Sequence, residues 1–122
     1  MKSLIALRVV AGVHAVAICL QPLFAGIYLN GSTEGIRLHE PLGLTLPLIG
    51  FVQLLVATIW WRSGGPAVAA LVSLLVVVGE GVQITMGFTR QLAIHIPLGI
   101  ALVGTTVAFA LWVNRQRAVV PA

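Results

Sequence analysis

Four long apolar runs separated by short polar breaks organise the chain: about Leu4 to Leu29, His39 to Trp61, Pro66 to Phe88 and Leu92 to Val113. Each is close to the ~20 residues a helix needs to cross the hydrocarbon of a bilayer, so the pattern predicts four transmembrane helices. Asn30-Gly31-Ser32-Thr33-Glu34-Gly35 reads as a polar loop, and Arg62-Ser63-Gly64-Gly65-Pro66 as a tight turn with proline at a helix start. Thr89-Arg90-Gln91 barely parts the last two runs. Connections this short force antiparallel neighbours. The expected fold is an all-α membrane protein, a four-helix transmembrane bundle occupying residues 1–122 as one domain.

An internal repeat lies within those runs. Leu38-His39-Glu40-Pro41-Leu42-Gly43 heads the second and Ile94-His95-Ile96-Pro97-Leu98-Gly99 the fourth, both apolar-His-x-Pro-Leu-Gly. Upstream, Gln21 and Gly26 are answered by Gln83 and Gly87, which extends the likeness over a helical hairpin. Copies two spans apart enter the membrane in the same sense, so they form parallel repeats about an axis along the bilayer normal. Pseudo-symmetry then places His39 opposite His95. The first copy has 18 residues from Gln to His against 12 in the second, and the excess is expected in the loop, where insertions are tolerated. Helix starts alone would account for proline in a first turn, but not for histidine twice in register.

Composition narrows the class. With 59% hydrophobic and 8% charged residues among 122, nothing is left for a soluble domain of ordinary composition. The net charge of +4 is scattered over the ends of the apolar runs, with no basic block, so nucleic acid is not an expected partner. Lys2, Arg8, Arg62, Arg115 and Arg117 fall at one end and only Arg37 and Arg90 at the other. The positive-inside rule therefore places both termini in the cytoplasm. The first run reads as a retained span and not a signal peptide, because Arg8 and His14 interrupt it and apolar chain continues past Pro22. Cys19 stands alone, with no CxxC, which leaves no thiol–disulfide chemistry within one chain.

Facing imidazoles at one depth have three uses: a mutual hydrogen bond, a metal ion, or the two axial positions of a haem. Zinc asks for three or four ligands, and no Asp, Cys or further His stands at that depth. Haem asks for two, in an apolar slot, and Gly43 and Gly99 lie one turn below His39 and His95 on the same faces. Arg37 and Arg90 are placed to meet the propionates, or to act as interfacial anchors. Without CxxCH the haem would be b-type, held by packing and ligation. Gln21 and Gln83 are expected either to orient the imidazoles or to bridge helices, with bridging favoured. His14, Gln53 and Glu80 also lie within apolar runs, where ionisable groups are expensive. His14 has no repeat mate, the matching position falling near Val76, and Glu80 is expected to shuttle a proton or to pair with it.

With one histidine at the head of helix 2 and one at the head of helix 4, the region from about His14 to Trp112 resembles one four-helix half of the haem A synthase family. That resemblance implies His39 and His95 as axial ligands. The family's catalytic half carries a glutamate about one turn before the helix 2 histidine, whereas here Ile36 holds that place and Glu34 lies five residues before His39. The resemblance therefore implies a single-haem redox relative and not an enzyme that oxidises a haem methyl group. The expected function is electron transfer or haem handling in a bacterial inner membrane, with haem b as cofactor. The expected partners are the lipid bilayer, a quinone or redox protein, and a second copy of the chain. The competing expectation is a four-span transporter or a structural subunit without cofactor.

Overall fold

A computed structural model describes residues 1–117; residues 118–122, the tail of the expected domain, lie outside the described residues. The four apolar runs form α1 (Lys2–Leu29), α2 (Thr33–Arg62), α3 (Val68–Phe88) and α4 (Leu92–Arg115), each long and apolar enough to cross a membrane. In chain order each helix packs on the next and α4 closes back on α1, while the diagonal pairs α1/α3 and α2/α4 stay apart. The chain is an all-α integral membrane protein, a four-helix bundle built from two parallel-repeat hairpins.

The repeat governs most of the interior. Leu7, Ala11, His14 and Ile18 are buried on α1, and Ala69, Ser73, Val76 and Glu80, each 62 positions later, are buried on α3. Leu46, Gly50, Gln53 and Ala57 on α2 are matched at an offset of 56 by Leu102, Thr106, Phe109 and Val113 on α4. Side chains facing lipid include Val9, Val13, Val16, Leu48, Leu75 and Ile100, all more than half exposed on the isolated chain. Lipid tails solvate such residues as well as a neighbouring helix does, so apolarity alone does not choose the inward face; the interior mixes large apolar side chains such as Leu7, Ile18 and Phe109 with small and polar groups that let backbones approach.

The six extra residues of the first hairpin do not lengthen its loop, contrary to the expectation from sequence. The tips, residues 30–32 and 89–91, are equally long. Instead α1 runs eight residues past Gln21 where α3 runs five past Gln83, and α2 starts six before His39 where α4 starts three before His95. Each helix of the first hairpin thus gains about 4.5 Å. Thr33, Glu34 and Gly35, read as loop, form the first turn of α2, where Glu34 sits favourably against the positive helix end. Gly35 permits the close approach: a Cβ there would strike Tyr28 N and Phe24 O of α1. Pro41 is consequently inside α2, as are Pro22 in α1, Pro47 in α2 and Pro97 in α4. Prolines inside membrane helices are tolerated where neighbouring groups satisfy the freed carbonyls.

Both tips use the same helix stop, in which a residue with left-handed backbone lets the chain reverse. Gly31 takes φ 93° with Ser32 N–H donating to Ile27 O at 3.2 Å, and Arg90 takes φ 56° with Gln91 N–H donating to Met86 O at 2.8 Å. At the opposite end Trp60, Phe109 and Trp112 stack, with ring centres 5.8 to 6.2 Å apart. There Arg8 donates to Gln116 O at 2.6 Å, placing a cation on the negative end of α4 and tying it to α1.

Gly35→Ala should therefore lower stability by about 1–3 kcal/mol, the usual cost of forcing atoms into a packed contact. Gly12, with nothing within 4 Å of its added Cβ, should accept alanine with little change. Unfolding midpoints of the two variants in one detergent check the difference.

Candidate functional site

His39 and His95 meet at the hairpin-tip end of the bundle, reaching across the diagonal between α2 and α4. Their ring centres are 6.2 Å apart and their planes inclined by 64°. The repeat holds each ring identically. His39 Nδ1 bonds Gln21 O at 3.1 Å and the Gln21 carboxamide donates to His39 O at 3.2 Å. His95 Nδ1 bonds Gln83 O at 2.9 Å and the Gln83 carboxamide donates to His95 O at 2.8 Å. A backbone carbonyl only accepts, so Nδ1 carries the proton in both rings. Nε2 is then the ring nitrogen left to act as a ligand, and it has no hydrogen-bond partner among the described residues. A carbonyl on Nδ1 and a free Nε2 is the arrangement that prepares histidine as a ligand.

Glycines provide the clearance for these clasps. A Cβ on Gly99 would lie 2.7 Å from Gln83 Nε2, and one on Gly43 3.6 Å from Gln21 Nε2, so the hollows below the histidines hold the glutamine amides. Gly87 makes room for the His95 ring, whose Cε1 lies 2.9 Å from where its Cβ would be. Both Gln21 and Gln83 bridge helices while orienting a ring. Arg37 and Arg90 differ from one another. Arg37 lies on α2 and pairs with Glu34 at 3.2 Å, both largely exposed, whereas Arg90 forms the hairpin tip and is exposed.

Two imidazoles suit a haem iron as donors, and their spacing suits it as well. A ligating nitrogen sits about 2 Å from a transition metal, with the ring centre about an ångström beyond, so two rings gripping one ion from opposite sides have centres roughly 6 Å apart. No group of three or more His, Cys, Asp or Glu capable of holding a metal ion occurs among the described residues.

A second polar cluster lies deeper. His14, Gln53, Ser73, Glu80 and Thr106 are each at most 3% exposed. Ser73 donates its hydroxyl proton to Ala69 O at 2.8 Å, so its oxygen accepts from Gln53 Nε2 at 3.2 Å. That bond turns Gln53 Oε1 toward His14 Nδ1 at 3.0 Å, and Nδ1 must be the donor. His14 Nε2 faces Glu80 Oε1 at 2.7 Å, and one proton lies between them whichever atom carries it. Glu80 Oε2 and Thr106 Oγ1 are buried without partners. Gly50 gives the carboxylate its place, since a Cβ there would lie 2.6 Å from Oε2.

Sequence reasoning recognised His14, Gln53 and Glu80 as costly polar residues and named the His14–Glu80 pairing. Ser73, Gly50 and Thr106 carry no signal in the sequence. Serine bonding back to its own helix leaves no periodic mark, so sequence offered no signal for it. Comparison with protein-family models, with curated proteins and with solved structures gave no match.

Leaving either partner of the His14–Glu80 pair unmatched should be expensive. Glu80→Leu alone is expected to cost about 1–3 kcal/mol, the cost of leaving a buried polar group without its partner, while His14→Leu combined with Glu80→Leu should recover much of it, because the damage comes from the abandoned partner. A double-mutant cycle on unfolding free energies in detergent measures that coupling.

Proposed function

We propose that the chain binds one b-type haem at the hairpin-tip end, with His39 and His95 as axial ligands, and serves electron transfer or haem handling within the bilayer. The observation that carries this reading is the pair of rings 6.2 Å apart, each with Nδ1 committed to a backbone carbonyl. When bound, the haem supplies a one-electron couple. Gln21 and Gln83 fix the tautomer and aim of the two rings, and α2 and α4 bring them in from opposite corners. Arg37 and Arg90, at the tip end, are positioned to neutralise propionates or to anchor the interface. The likeness to half of a haem A synthase supports the same ligand pair.

The charge split favours both termini in the cytoplasm and the haem near the outer face of a bacterial inner membrane. A quinone or a redox protein at that face would exchange the electron, and a second copy of the chain is a candidate neighbour. A four-span transporter working through Glu80 is less well supported, because that carboxylate, 3% exposed and packed against Gly50, is closed to a substrate larger than a proton.

Purified protein should show a Soret band and a low-spin reduced spectrum. His39→Ala or His95→Ala should abolish that spectrum or most haem retention, since no covalent tether exists. His14→Ala should keep the haem, and Arg37→Ala or Arg90→Ala should weaken retention only mildly. A colourless wild-type protein reconstituted with excess haem would refute the reading. A reporter fused after Ala122 should be active only in the cytoplasm, and a periplasmic signal would reverse the orientation.

A further inference from the structure

The donor sequence Gln53, Ser73, Ala69 leaves the His14–Glu80 pair with a fixed resting state. Nδ1 of His14 is protonated, one further proton is shared between Nε2 and Oε1, and the pair is neutral as a whole. The vacancy is Glu80 Oε2, buried and without a partner, lying against Gly50 of α2, where an added Cβ would come within 2.6 Å of it. A carboxylate oxygen in hydrocarbon with no donor is a place for a proton. No other titratable or charged side chain faces it among the described residues. From α1 comes His14 itself and from α2 Gly50, with Gln53 on the other nitrogen of His14; α4 carries no charged residue between His95 and Arg115, and Arg8 lies further along α1, bonded to Gln116 O at the opposite end. Toward the tip, Gln83, whose carbonyl holds the His95 ring, stands three residues beyond Glu80, about 4.5 Å along the helix axis. Charge appearing at the histidine pair is therefore felt at Glu80 through apolar surroundings with little screening.

We infer that the His14–Glu80 pair is a proton-binding site that takes up one proton on Glu80 when one electron enters between His39 and His95. The inference rests on the haem reading above. One electron comes from a donor of the quinol class and one proton from bulk water, and both leave on reoxidation, so the interior gains no net charge. Gln53 is a positioning residue that fixes the His14 tautomer and leaves Nε2 for Glu80.

Potentiometric titration of the haem-loaded protein across pH tests this. The wild-type midpoint should fall by up to about 59 mV per pH unit over part of the range, the value for one proton per electron. Glu80→Gln, with its Soret band intact, should lose that slope. A wild-type potential independent of pH, or a slope unchanged in Glu80→Gln, overturns the inference while leaving the haem reading standing. A wild-type protein that binds no haem overturns both. Should Glu80→Gln fail to hold haem, reduced-minus-oxidised infrared spectra decide, recorded on a chain carrying Glu34→Gln and Glu40→Gln and labelled with 13C-glutamate. Glu80 is then its sole glutamate, and a label-sensitive carboxylic acid band on reduction supports the site. Absence of that band overturns it.

Discussion

Hydrocarbon offers no hydrogen bonds, and that constraint dictates how this bundle is tied together. A polar side chain carried into the bilayer must find its partner inside the protein or remain unsatisfied at considerable expense. Here the partners lie across the bundle. His14 reaches Glu80 over the α1/α3 diagonal, and His39 meets His95 over the α2/α4 diagonal, although neither pair of backbones is in contact. Gln53 and Ser73 extend the deeper link between α2 and α3. Polar bonds in membranes are individually modest, about 0.6 kcal/mol on average, so their larger effect is on register: one rotation of each helix satisfies them.

The two clusters treat the repeat in opposite ways. At the tip the hairpins do the same thing twice, each presenting a histidine whose Nδ1 is held by a glutamine carbonyl and whose own carbonyl receives that glutamine's amide. Deeper down every polar group faces a dissimilar mate. His14 corresponds to Val76, Gln53 to Phe109, Glu80 to Ile18, Ser73 to Ala11 and Thr106 to Gly50. A symmetric end presents one imidazole and its copy, which is what a ligand set of two would require. An asymmetric interior supplies one acid and one base, which is what holding a single proton requires. On the function proposed above, one duplicated hairpin would serve two chemistries through divergence at buried positions.

Glycines mark where these side chains are accommodated. Gly50 lies against the Glu80 carboxylate, Gly99 against the Gln83 amide and Gly87 against the His95 ring, so small residues here make room for polar groups as well as for backbones. Gly35 serves the plainer purpose, bringing the extended ends of α1 and α2 together. A small residue in this bundle therefore has several physical meanings, which depend on what stands opposite each position.

Four helices, their antiparallel order and the duplication were legible in the sequence, because a bilayer fixes the length of an apolar span and a repeated His-x-Pro-Leu-Gly motif survives in order. The pairing of His39 with His95 followed from that symmetry. The helix ends at the first tip were not legible, because Asn30, Gly31, Thr33, Glu34 and Gly35 look like loop until the close packing of Gly35 on Tyr28 and Phe24 shows that α2 has already begun. Nor could sequence orient the hydrogen bonds. That Ser73 fixes Gln53, that Gln53 fixes the His14 tautomer, and that Glu80 is left with one free oxygen depend on which helices are neighbours and how far each is rotated. Local sequence carries span length and periodicity, whereas donor and acceptor directions are properties of helices brought together in space.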